Sequence, residues 1–223
     1  MKTCYGIRAL AVAAITAAVV VAGDVATGDK ARPLPPPTTK GRMSLEEAIR
    51  LRRSVREFSD KPVSIAQVGQ MCWAGQGITD PRRGFRAAPS AGALYPMELY
   101  VVTPEGVEHY RPKEHALERH LSGDQRRTLH ERGGVQAVVQ TAPVTFVIAA
   151  EVGRSAGKYR ERAERYCFME AGHIAQNILL QATALHLAGV PIGGVDDDRV
   201  AEALRLPSGY RVLYVLPVGH PRD

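Results

Sequence analysis

Residues 144–151, VTFVIAAE, run almost without a polar side chain. A strand with one face in water alternates polar and apolar residues, so a strand-length run that does not alternate belongs inside a sheet. MELYVVTP at residues 97–104 alternates and is rich in Val and Tyr; it reads as a second strand, with VEHYRP after it as a hairpin partner and RVLYVLPVG at 211–219 as a last strand.

Helices accompany these strands. Ser44 before Glu47 and Ser64 before Gln67 have capping-box spacing and predict two helix starts, the second helix stopping at Gly75 or Gly77. Residues 124–143 suggest helical material. From residue 158 to about 187, apolar residues recur at helical spacing through Phe168, Ala171, Ala175, Ile178, Leu179 and Ala182, which predicts a long core helix. Asp196 or Asp197 can cap a short helix reaching Leu204. Strand and helix do not alternate regularly, so the expected class is α+β rather than doubly wound α/β.

The chain begins differently. Lys2 and Arg8 precede an apolar run at 9–22 that ends in small residues, which predicts a signal peptide over residues 1–23, or an N-terminal anchor if it stays uncleaved. Residues 24–43, with ARPLPPPTTKG, predict a Pro-rich linker without packed structure, and residues 44–223 a single folded domain. On that reading the protein is exported, periplasmic or extracytoplasmic, and meets the membrane only through an uncleaved segment. The formal net charge of +6 is modest, and its cations are mixed with Glu, as in KYRERAERY, without interleaved aromatics. That pattern describes a solvated face and not a nucleic-acid surface. Cys72 and Cys167 stand among apolar residues, as buried thiols do, and neither has metal-ligand spacing.

One stretch, LEEAIRLRRSVREFSDKP, crowds Arg50, Arg52, Arg53 and Arg56. On a helix, Leu45, Ala48, Ile49 and Arg52 share a stripe, so Arg52 continues a face built for the core and needs a partner. Either Glu57 and Asp60 complete an ion-pair network, or an anion sits among the guanidiniums. Ser54 favours the anion, because a hydroxyl beside forked guanidiniums suits a phosphate. Neither GxxxxGK[ST] nor a GxGxxG after a strand occurs, so such a phosphate is not held by a P-loop or a Rossmann turn.

RRSVREF, APSAGALYPMELYVV, ERYCFMEAGHIAQNILLQATAL, PIGGVDDDRVAEALRLP and LPVGHP follow one another in an order that resembles the nitroreductase family of FMN flavoproteins. Within the family the likeness is to the SagB-type branch, which includes azoline dehydrogenases of ribosomal peptide biosynthesis, and it runs from about residue 44 to 221. The resemblance implies a homodimer whose central mixed or antiparallel sheet is flanked by helices, with FMN at the subunit interface. By matched position, Arg52, Arg53, Ser54 and Arg56 hold the phosphate and ribityl chain. Pro89, Ser90, Ala91 and Gly92 approach the flavin from the partner subunit, and Gln176 and Asn177 are the polar pair beside it. Pro191, Ile192, Gly193 and Gly194 lie against one ring face. Arg222 adds a late phosphate contact, His220 standing where an arginine is common.

Lys158 and Tyr159 match the Lys-Tyr pair assigned to proton removal in the azoline dehydrogenases; on their own they read equally as solvent-facing residues of a charged helix start. Glu170 and His173 have E-x-x-H spacing without a second such pair, and the EAGH text of the family accounts for them, so no metal is expected. The activity implied is hydride transfer through flavin N5 to or from a small nitroaromatic, quinone, enone or azoline-like substrate, with NAD(P)H as an electron donor. Export, where nicotinamides are scarce, keeps two other readings: a dehydrogenase passing electrons to oxygen or a membrane carrier, and a flavin-binding protein without catalysis.

Overall fold

The computed structural model describes residues 31–222, so the expected signal peptide or anchor lies outside the described residues. In chain order, β1 (Arg32–Pro33) precedes α1 (Leu45–Leu51), α2 (Ile65–Gln76) and a ribbon of β2 (Ile78–Asp80) and β3 (Phe85–Arg86). A meander of β4 (Met97–Thr103), β5 (Gly106–Arg111) and β6 (Ala116–Ser122) leads to α3 (Arg126–Glu131) and α4 (Val138–Thr141). The chain ends through β7 (Val144–Glu151), α5 (Val152–Tyr159), α6 (Ala163–Ala184), β8 (Ala188–Gly189), α7 (Asp197–Ala203) and β9 (Tyr210–Gly219).

Seven strands form one sheet in the order β1-β6-β5-β4-β7-β9-β8, antiparallel at every step. The apolar run lies at its centre: Phe146 pairs with Val101 of β4 on one side and with Leu216 of β9 on the other. Phe146, Ile148 and Ala150 point to the face covered by α2 and α6, with Met71, Ile174 and Ile178. Val147 and Ala149 point to the opposite face, with Leu129, Val139 and Val200 of α3, α4 and α7. A strand buried on both faces has no use for alternation. Gly75 lets α2 and α6 meet closely, since a Cβ built there would sit 3.0 Å from Ile178 Cγ1.

Ser64 and Gln67 exchange both bonds of a capping box, and Ser44 accepts from the Glu47 N–H at 3.1 Å. Three expectations fail. First, α1 ends at Leu51, and Arg52 turns out of the helix with ψ 123. Leu45 and Ile49 are 61% and 55% exposed, so no core stripe leads to Arg52. Second, the long helix starts at Ala163 and not at 158: Arg160, at φ 48, breaks it from α5, which carries Lys158 and Tyr159 at its end.

Third, the expected linker is held to the domain from residue 32 onward. Arg32 and Pro33 pair with Leu117 and Ala116 of β6, and Leu34 is buried in the core beside Gly69. The Gln70 amide then clamps Thr38 as a strand would, accepting from its N–H at 2.8 Å and donating to its carbonyl at 3.0 Å. Leu34→Ala should therefore destabilise the domain by about 2–3 kcal/mol, read as a lower unfolding temperature. A loose tether would show no change.

Candidate functional site

Main-chain bonds gather three separate segments at one end of the sheet. After Arg52 the chain extends: Ser54 forms a parallel bridge with Gly189, and Val55 N–H donates to the Gly189 carbonyl at 3.1 Å. Ser59 N–H donates to the His220 carbonyl at 2.9 Å, and Arg222 N–H to the Glu57 carbonyl at 3.1 Å. Ile192, bridged to Val215, is buried, whereas Gly193 and Gly194 face solvent. Arg52, Arg53, Ser54, Arg56, Pro191, Ile192, Gly193, Gly194 and Arg222 thus belong to one locality.

Among the described residues the arginines there have no acidic side-chain partner. Arg53 caps α1, its Nη1 donating to the carbonyls of Arg50 at 2.9 Å and Arg52 at 2.7 Å; Arg56 Nε donates to Gln136 Oε1 at 3.4 Å. Among the described residues no carboxylate lies within 4.0 Å of the side-chain nitrogens of Arg52, Arg53, Arg56 or Arg222, so the ion-pair network with Glu57 and Asp60 does not form. Exposed glycine backbone beside uncompensated guanidiniums and a hydroxyl is a donor set that fits the phosphate of FMN.

A second locality forms around the loop after β3. A Cβ built at Gly92, whose φ is 62, would lie 2.7 Å from both Lys158 Nζ and Tyr159 Oη. Pro89, Ser90, Ala91 and Gly92 therefore share this place with Lys158 and Tyr159 of their own chain. Tyr159 meets Tyr166 of α6 edge-on at 4.8 Å, and Lys158 Nζ stands 5.5 Å from the Tyr159 ring centre. Among the described residues no side-chain hydrogen bond joins this locality to the arginine end. The polar pair of α6 splits: Gln176 is exposed, whereas Asn177 Nδ2 donates to the Ala74 carbonyl at 3.1 Å and fastens α6 to α2. Asn177 also lines a groove of about 750 Å³ between those helices, closed on one side by residues of the N-terminal arm.

Beneath the loop runs a polar network absent from the sequence reading. Arg154 of α5 donates to the Tyr95 carbonyl at 2.5 Å and to Glu98 at 2.7 Å, and it also pairs with Glu151. Burial opposes the charge of Glu98, yet bonds from His109 and Arg154 hold its carboxyl below the ordinary range. Arg86 donates to Gln76 Oε1 at 2.5 Å and lies 4.6 Å from the Tyr95 ring centre. Glu170, 2% exposed, occupies the buried stripe of α6 with Cys167, Ala171 and Ile174. Its helical phase is the signal that marks it in the sequence, while His173, three residues on, faces solvent.

Burial lifts the Glu170 carboxyl to about 7, opposed in part by a hydrogen bond from Ser90 and by Arg86 and Arg154. Between its ordinary value and about 7 the folded chain holds a proton that the unfolded chain has lost, so stability falls as pH rises through that window. Glu170→Gln removes the dependence. At about pH 8 the variant should be more stable than the wild type by roughly 1–3 kcal/mol, and near pH 4 the two should unfold together. Thermal unfolding at both pH values checks this; equal stability at the higher pH would mean that Glu170 ionises without penalty.

Solved structures with this layering include the NADPH:FMN oxidoreductase of Vibrio harveyi complexed with NAD+, at a TM-score of 0.60 and 26% identity, covering 80% of this chain and 69% of that one. The chain is a flavoprotein oxidoreductase. Within that class it belongs to the nitroreductase family, whose sequence pattern matches residues 49–220. A nitroreductase-type structure from Ralstonia eutropha superposes with a TM-score of 0.78 at 28% identity, over 91% of this chain and 100% of the other. MJ1384 of Methanocaldococcus jannaschii, a nitroreductase-type protein, is 37% identical over 183 residues, 79% of this chain and 91% of its own. The microcin B17-processing protein McbC of Escherichia coli is 27% identical over 161 residues, 67% of this chain and 59% of that one.

Proposed function

We propose that the chain is an FMN-dependent oxidoreductase of the SagB-type branch, acting on a small nitroaromatic, quinone, enone or azoline-like compound. The observation that carries this reading is the set of guanidiniums with no carboxylate partner among the described residues, gathered by main-chain bonds beside Gly193 and Gly194. Arg52, Ser54 and Arg56 bind the phosphate, with Arg222 at the margin and Arg53 shaping the turn. FMN, when bound, supplies two-electron transfer through its N5 atom. Gly193 and Gly194 present backbone to the ring, where a Cβ would hold it off. Lys158 and Tyr159 hold or move the substrate proton at Nζ and Oη.

The protein works as a homodimer in this reading, the loop of one copy completing the site of the other. Phe168 and Met169 of α6 and Leu45 and Ile49 of α1 support it, as large apolar side chains left in water. In this reading residues 1–23 act as an export signal or anchor, and the protein works outside the cytoplasm. That location and the Gly92, Lys158 and Tyr159 contact favour a second reading, a dehydrogenase that passes electrons to oxygen or a membrane carrier and uses no NAD(P)H.

Anaerobic titration of the FMN-loaded chain with NADH and NADPH tests the choice. Rapid bleaching of the flavin is expected of a reductase; lack of bleaching with either nicotinamide selects the dehydrogenase. A chain that purifies colourless and binds no added FMN would sink both.

A further inference from the structure

The contact of Gly92 with the Lys158 and Tyr159 side chains joins two segments that have little core packing of their own. No residue from 89 to 95 is buried, and α5 buries only Ser155. Segments with few buried apolar contacts open easily, so polar ties must set their relative position. The loop is strained as well: besides Gly92, Ala93 at φ 53 and Tyr95 at φ 50 lie in the left-handed region. Such residues persist only where their surroundings over-determine them.

Arg154 supplies a tie from outside the loop. Its Nη1 donates to the Tyr95 carbonyl at 2.5 Å and its Nη2 to Glu98 Oε1 at 2.7 Å, where the loop enters β4. Glu98 is itself held, its other oxygen bonded to His109 Nε2 at 2.7 Å. The main chain repeats the junction beside it, Glu151 N–H donating to the Pro96 carbonyl at 2.9 Å. One planar fork thus reaches two acceptors at once, which a single ammonium does poorly. Lys158 follows Arg154 by four residues, one turn further along the same face of α5. We infer that Arg154 is a positioning residue, which by bridging the Tyr95 carbonyl and Glu98 from α5 sets where Gly92 meets Lys158 Nζ and Tyr159 Oη. Its importance for turnover rests on the proposed roles of Lys158 and Tyr159; its hold on the loop does not.

Amide hydrogen exchange in the full chain reads that hold at the Tyr95 N–H, which is bonded to Ser90 Oγ at 2.9 Å. Arg154→Met keeps most of the stem and removes the fork. It should speed Tyr95 exchange by about tenfold or more and leave Ile148 in β7 unchanged, with Arg154→Lys falling between it and the wild type. Wild-type protection of Tyr95 in Arg154→Met would overturn the inference. So would Ile148 exchange that rises in step, since it marks a general loss of stability. If Arg154→Met does not fold, Arg154→Gln takes its place in the same comparison. In the FMN-loaded chain, Arg154→Met should slow oxidation of an azoline-containing peptide at saturation by about tenfold and leave KM within about threefold, because the proton-transfer group is misplaced while the binding surfaces remain. With Lys158→Met already present, Arg154→Met should add less than about threefold, as both act through one group. A loss confined to KM, or full additivity in the double variant, would overturn its part in turnover. A wild type that does not oxidise the peptide would count against the proposed function alone, and Tyr95 exchange would still decide the tie.

Discussion

Arg52→Ala or Arg56→Ala should weaken FMN retention by about 2–4 kcal/mol, roughly 30- to 1000-fold in Kd, while the apo fold survives. The fold survives because neither side chain holds it together: Arg52 has no carboxylate within 4.0 Å among the described residues, and Arg56 reaches only Gln136. Arg53→Ala should behave differently. Its guanidinium satisfies the Arg50 and Arg52 carbonyls at the end of α1, so its loss should loosen that turn as well as the phosphate contact. Titration of apo protein with FMN, followed by flavin fluorescence, measures all three. Unchanged affinity in both the Arg52 and Arg56 variants would return these arginines to the solvated surface.

Lys158→Met should slow oxidation of an azoline-containing peptide by about 10²–10⁴-fold, the range for loss of a positioned proton-transfer group. Methionine keeps most of the stem and removes the ammonium, and Tyr159→Phe similarly keeps the ring that packs on Tyr166. Neither change touches the arginine end, so FMN affinity should stay within a few-fold of the wild type. Single-turnover bleaching of the flavin by the peptide gives the rate. A quinone reaction driven by NADPH should persist in the same variants if the chain is a general reductase. Wild-type azoline oxidation in both variants would remove the pair from the chemistry.

The parts of the fold that are legible in the sequence are those whose pattern is complete within one stretch. The bare apolar run of β7, the box of Ser64 and Gln67 and the periodicity of α6 each carry their own evidence. What is not legible depends on distant partners. The arm means little until Leu34 has a core to enter and Gln70 stands ready for Thr38, 32 residues away. Arg160 breaks the long helix although no Gly or Pro announces it. At Arg52 the helix has already ended, so no core stripe reaches that residue, while the lack of a carboxylate partner among the described residues leaves its guanidinium open to an anion. In the site, motif residues are legible through resemblance to the family. The network of Arg86, Tyr95, Glu98 and Arg154 is not, since Arg154 and Glu98 stand 56 residues apart.

The sheet closes at both sides with strands of only two residues, β1 and β8. A long bare edge offers its N–H and C=O groups to any passing chain and so templates aggregation. Here Pro33 brings no N–H to the outer strand, and beyond it the rim of β6 carries Glu118, Arg119 and His120. The same charges that hide β6 from sequence reading make it a poor template. Copies of this chain are thereby steered away from edge-to-edge, fibre-like pairing of their sheets.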